Sequence, residues 1–166
     1  MKINGINDVL KELRKEQKGV ERAIDLETEA IAIQVERDAK KLAPKNFGKL
    51  AQSISHSKVK TSQYKITVNE EYGVYMEFGT GLKVSVPADF AEIANQFKGK
   101  RTGTFEQGLE SIKVWCRAKG IPEENAKWIF LKILGVGLTP RPFLYPSWVK
   151  GKKDYLANLT KLLKKK

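Results

Sequence analysis

Tyr64-Lys65-Ile66-Thr67-Val68-Asn69-Glu70-Glu71-Tyr72-Gly73-Val74-Tyr75-Met76-Glu77-Phe78 is the stretch that decides the fold class. Tyr64, Ile66 and Val68 alternate with Lys65, Thr67 and Asn69, and Val74, Met76 and Phe78 alternate with Gly73, Tyr75 and Glu77. A period of two predicts two strands, joined as a hairpin through Asn69-Glu70-Glu71, with residues 51–60 as a third strand of weaker alternation. In that register Met76 and Phe78 face the core, while Tyr75 and Glu77 point away.

Upstream the period is helical. A short helix is predicted through residue 17, and beyond Gly19 the residues Val20, Ile24, Ile31, Val35, Ala39 and Leu42 form one apolar stripe. That stripe predicts a long amphipathic helix over 19–42, stopped at Pro44, which disfavours helical geometry in the residue before it. A helix covering one face of a small antiparallel sheet is an α+β core.

Downstream, residues 82–138 return to helical texture. Asp89-x-x-Glu92, the capping-box pattern Thr104-x-x-Gln107 and Pro122-Glu123-Glu124 mark three helix starts, and Arg117, Lys119 and Gly120 mark the end of the middle helix. This block reads as a helical insertion in a single domain, 1–166, whose core is 1–81 plus 139–166; the alternative is that it completes the core. Within 139–146 three prolines predict an extended run, after which Ser147 is read as the cap of a C-terminal helix carrying Trp148, Tyr155, Leu156, Leu159, Leu162 and Leu163.

Composition narrows the chemistry. The chain has 166 residues, 41% hydrophobic and 30% charged, enough for one folded domain. It has no apolar run near the ~20 residues of a membrane span. Met1-Lys2-Ile3-Asn4-Gly5 lacks the apolar core of a signal peptide, so a cytoplasm-like compartment is expected. Cys116, the only cysteine, excludes an internal disulfide and a multi-thiolate zinc site and reads as a packed small hydrophobe. His56, the only histidine, lies in a polar alternating run and reads as a surface strand residue. Gly79-Thr80-Gly81 is followed by Val84, and Gly135-Val136-Gly137 by Pro140, where a dinucleotide fingerprint needs its third glycine. The expectation is a protein that is not an enzyme and holds no cofactor or metal.

The net charge is +12, and residues 150–166 carry half of it. A lysine-tipped terminal helix reads either as a solvated, dipole-compensating end or as a phosphate contact. Lys98-Gly99-Lys100-Arg101 is a basic loop and a second candidate for phosphate contact. Trp115, Trp128 and Trp148 are read as packing residues, although tryptophan is also enriched at interface hot spots.

Four segments together carry a resemblance: Ala39-Lys40-Lys41-Leu42-Ala43-Pro44, then Gly48-Lys49-Leu50-x-x-Ser53-Ile54, then Tyr72-Gly73-Val74-Tyr75-Met76-Glu77-Phe78-Gly79-Thr80, then Pro142-Phe143-Leu144-Tyr145-Pro146 before a last helix. In order and spacing the chain resembles the tailed-bacteriophage head-tail joining family of neck and tail-completion proteins over about 1–81 and 139–166. The resemblance implies a non-enzymatic morphogenesis protein of the virion, assembled in the bacterial host cytoplasm, that forms or caps a ring between a DNA-filled capsid and a tail. Its implied partners are copies of itself and neighbouring head-closure or tail proteins, with at most nonspecific DNA contact in the ring lumen.

The candidate interface residues are Tyr75, Glu77, Gly79, Thr80, Pro142 and Phe143. Glu77 is read either as a solvated or ion-paired strand residue or as an inter-subunit contact. Gly79 and Gly81 are most simply turn glycines of positive φ, and Phe143 a core plug. The candidate DNA-backbone contacts are Lys98, Lys100, Arg101, Lys164, Lys165 and Lys166. The alternative function is a basic nucleic-acid-binding module built on the 98–101 loop and the lysine-rich tail; it predicts steeply salt-sensitive DNA binding by the monomer.

Overall fold

A computed structural model describes residues 6–45, 48–97 and 103–164. The chain is α+β: seven helices and one two-stranded antiparallel sheet among the described residues. Helix α1 (Ile6–Leu42) is one continuous rod, so the expected break at Gly19 does not occur. An exposed glycine inside a helix costs about 1 kcal/mol, too little to interrupt a helix of ten turns. The predicted stripe is buried where the rest of the chain covers it, at Val35 and Ala39, joined by Ala32; Leu42 stays exposed and Ala43 takes its place inside.

A short α2 (Lys49–Ser53) leads into β1 (Ile54–Lys60) and β2 (Gln63–Val68). The register pairs Ile54 with Val68 and His56 with Ile66, with an irregularity between Lys58 and Lys60. The hairpin therefore turns at Thr61-Ser62, with Ser62 at φ 56°, and not at Asn69-Glu70-Glu71. What was read as the hairpin's second strand is α3 (Gly73–Phe78), a correction with a clear cause. Over six residues an alternating pattern also fits a helical turn. The residues that α3 buries, Gly73, Glu77 and Phe78, are spaced four and five apart, so tertiary burial selects the helix. Gly73 presses so close to the sheet that a Cβ there would lie 2.9 Å from the Val68 side chain.

Helix α4 (Ala91–Phe97) follows, then α5 (Phe105–Lys119) and α6 (Ala126–Val136). Thr104 and Gln107 form the predicted capping box, and Gly120 ends α5 at φ 68°. The α5–α6 pair closes around Cys116 and Ala126, both fully buried, with the Phe105 and Phe130 rings 5.1 Å apart. Gly108 permits that approach, since a Cβ would come within 2.4 Å of the Phe130 ring.

Helix α7 (Leu144–Lys164) returns along α1 in the opposite direction. The seam is polar at its edges: Lys150 donates to Asp38 at 2.7 Å, Gln34 to Asp154 at 2.6 Å and Asn158 to Glu27 at 2.7 Å, and the Thr28 and Tyr155 hydroxyls share a hydrogen bond at 3.1 Å. At its centre Gly151 lies against Val35. Ser147, read as the cap, is inside the first turns instead, buried and donating back to the Phe143 carbonyl. Phe143 plugs the main core among Ala39, Ala43, Leu50 and Ile54.

Candidate assembly surfaces

The two most specific motifs, Tyr75-Met76-Glu77-Phe78-Gly79-Thr80 and Pro142-Phe143-Leu144-Tyr145-Pro146, meet at one place. The N-terminus of α7 offers backbone N–H groups with no intrahelical partner, and the residues around its start include no well-placed Ser, Thr, Asp or Asn to satisfy them. Glu77 supplies the missing acceptor from α3. Its carboxylate accepts from the N–H of Phe143 at 2.8 Å, Leu144 at 2.9 Å and Tyr145 at 2.8 Å. A negative group at a helix N-terminus is favoured by both hydrogen bonding and the helix dipole. Glu77 is only 5% exposed, which corrects the reading that it points away from the core. It is a clasp between two motifs that are 66 residues apart in the chain.

Next to the clasp the chain crosses itself. Thr80 donates its N–H to the Leu138 carbonyl at 3.0 Å, and the Leu138 N–H donates to the Thr80 hydroxyl at 2.8 Å. Gly79, Gly81 and Gly137 all take positive φ here, as expected for the first two. A Cβ on Gly137 would stand 1.8 Å from the Thr80 carbonyl oxygen, so only glycine fits. Of the six candidate interface residues, Glu77, Gly79 and Phe143 are thus buried in the chain's own packing; Tyr75 and Thr80 are half-buried and Pro142 is exposed.

The surface that remains uncovered is apolar in two places. On α6, Phe130 packs against Phe105 and Gly108 of α5 and Ile129 and Ile133 are half-buried, while Trp128 is 73% exposed and Leu131 and Leu134 are exposed as well. Trp128 is therefore not a packing residue of the described fold, contrary to expectation; Trp115 is half-buried and Trp148 exposed. Leu82, 89% exposed, lies on the turn that packs against the end of α6. On α7, Val149, Leu156 and Leu163 recur every seven residues on a face turned away from α1, all exposed. A spacing of seven keeps residues on one side of a helix, and a run of exposed apolar side chains on one side is the form of a contact surface.

The polar clusters are structural. Glu36 accepts from Lys40 and from the backbone N–H of His56 at 2.9 Å, and its carboxylate also contacts His56 Nδ1. The Lys40 ammonium, then His56, hold its pKa down at about 2. Asp38 is lowered by Lys150, and Asp25 by Lys58 and the Ser62 N–H. Among the described residues no group of His, Cys, Asp and Glu is arranged to hold a metal ion, and no helix is long and apolar enough to cross a membrane. Of the candidate phosphate contacts, Lys164 is exposed near the end of α7; Lys98, Lys100, Arg101, Lys165 and Lys166 lie outside the described residues.

No curated protein and no solved structure matches the chain. Residues 7–79, from the first turns of α1 to the glycine that follows α3, match the model of the HK97-gp10-like family, described as "Bacteriophage HK97-gp10, putative tail-component". The matched segment holds α1, the hairpin and the Glu77 end of the clasp. Over these residues the chain is similar to the HK97-gp10-like family of phage tail components.

Proposed function

We propose that this chain is a structural protein of the head-tail junction, a neck or tail-completion subunit that assembles as a ring and joins the capsid connector to the tail without catalysis. The observation that carries the reading is the family match over residues 7–79, which places a phage tail component's segment on α1, the hairpin and α3. The exposed apolar faces of α6 and α7 support it, because a subunit that works by contact needs area to bury. The chain acts as one domain, with 1–81 and 139–166 as the body and 82–138 as a helical block that adds contact area. Thr80 and Pro142, which keep exposure beside the clasp, are motif residues within reach of a neighbouring subunit. A head-to-tail interface repeated by rotation closes a ring, and its partners above and below are head-closure and tail proteins.

Light scattering of the purified protein across concentration, alone and with its phage's head-closure and tail proteins, tests this. A ring, or a monomer that enters rings when those proteins are added, is the expected result. A monomer that joins neither, together with virions that lack the protein, would overturn it.

A further inference from the structure

The N-terminal half of α1 carries a feature that neither the clasp nor the apolar faces use. From residue 9 to residue 19 every position is exposed, and Asp25, to which Ser62 at the hairpin tip donates at 2.8 Å, lies further along the helix. Lys11, Arg14, Lys15 and Lys18 on this exposed stretch, with exposed Arg22 just beyond it, are spaced three, one, three and four residues apart. At 3.6 residues per turn they fall within an arc of about 100°, along roughly 16 Å of helix. Glu12 and Glu16 lie more than about 100° from its centre and Glu21 about 70°, just outside its edge, so between residues 11 and 22 the arc itself is basic. None of the five cations takes part in an ion pair among the described residues, whereas the acids further along α1 at Asp25, Glu36 and Asp38 are all paired. Asp25, which Lys58 and Ser62 of the hairpin contact, falls at the same azimuth, so the arc faces the hairpin's side of α1.

We propose that this face of α1 binds the phosphate backbone of duplex DNA. A row of unpaired cations one helical turn apart on a rigid rod suits an evenly charged polyanion, and it reads no base sequence because it positions only on phosphates. An anionic lipid surface fits less well. A helix lying on a membrane buries its apolar side, and here Glu12, Glu16 and Glu21 flank only three large apolar residues, Val9, Leu10 and Leu13. The inference deepens the junction reading, since DNA is what passes through a junction. Its test measures binding by the isolated full chain, so it stands or falls independently of ring assembly.

Fluorescence anisotropy with a labelled random-sequence duplex of ~20 base pairs, titrated from ~50 to ~200 mM salt, gives affinity and salt slope. The wild type should bind with log affinity falling by about 4 to 5 per decade of salt for five contacts. The triple variant Lys11→Glu/Lys15→Glu/Lys18→Glu should bind at least about tenfold more weakly at ~50 mM, with the slope reduced by roughly 3. Lys11→Gln/Lys15→Gln/Lys18→Gln, milder for the helix, should show the same slope change with circular dichroism unchanged. Lys119→Glu/Lys127→Glu/Lys132→Glu, an equal charge change on α5 and α6, should bind like wild type. The proposal is overturned if the wild type does not bind, if the α1 variants retain wild-type affinity, if the α5–α6 variant loses as much, or if vesicles rich in anionic lipid bind while the duplex does not.

Discussion

Removing the Glu77 carboxylate should destabilise the fold more than any other single truncation of a polar side chain. Three N–H groups converge on it at 2.8 to 2.9 Å; that of Phe143 is buried, while those of Leu144 and Tyr145 belong to half-buried residues that water can reach after the change. Glu77→Ala leaves the Phe143 N–H without an acceptor, at about 1–3 kcal/mol, and forfeits two further charge-assisted bonds that water replaces only in part. The total is about 3–5 kcal/mol, a fall in melting temperature of about 6–20 °C for a chain of this size. Glu77→Gln keeps one acceptor oxygen for the two N–H groups that share Oε2 but turns an amide N–H₂ toward Tyr145, and should lose about half as much. Glu77→Asp, one methylene short, should behave like the alanine variant. Urea unfolding followed by circular dichroism and by the fluorescence of Trp148, one turn into α7, gives these values. A Glu77→Ala variant within about 0.5 kcal/mol of wild type, the range of an ordinary surface substitution, would refute the clasp.

Helix propensity alone predicts that Gly151→Ala stabilises α7, but a Cβ there would meet Val35 at 2.4 Å; the expected result is a loss of about 1–3 kcal/mol in denaturant titration. Gly135→Ala, in α6 with nothing within 4 Å, should instead gain about 0.4–1 kcal/mol in the same assay. Glu36 is held at about 2 against an ordinary 4.5, so its contribution is complete above pH 4.5 and disappears as pH falls toward 2. Asp25 and Asp38, also lowered, act in the same sense. Thermal melts from pH 7 to pH 2 should show the midpoint dropping across that window, and Glu36→Gln should flatten the drop. Leu156→Glu with Leu163→Glu, both 58% exposed, should leave the melting temperature within a few degrees of wild type yet abolish co-assembly with partner proteins in light scattering.

The long helix was legible because its apolar stripe repeats over six turns and no competing pattern fits. The capping box at Thr104, the turn glycines 79 and 81 and the buried Phe143 were legible for a similar reason: each depends on residues close in sequence or on one strong steric demand. The strand assigned to Val74, Met76 and Phe78 failed because six residues hold too few periods to separate two from 3.6, and contact with Leu50 and Val68 decided the matter. Glu77 failed with it. One signal could have found it: the helix starting at Leu144 has no well-placed capping side chain of its own, and an acid enclosed by Met76, Phe78 and Gly79 is the acceptor it borrows. Trp128 differs from its reading because α6, apart from Lys127 and Lys132, is apolar almost throughout, a pattern that describes a core helix and a helix awaiting a partner equally well.

The crossing at Thr80 and Leu138 has a further consequence, for inheritance. Because the two strands of chain touch there, α1, the hairpin and α7 are already brought together at the base of everything between them. Phe90, edge-on to both Phe78 and Tyr145, is the next anchor outward. Beyond it, residues added or removed are expected to cost free energy that grows only with the logarithm of loop length, with the contacts among α1, the hairpin and α7 left in place.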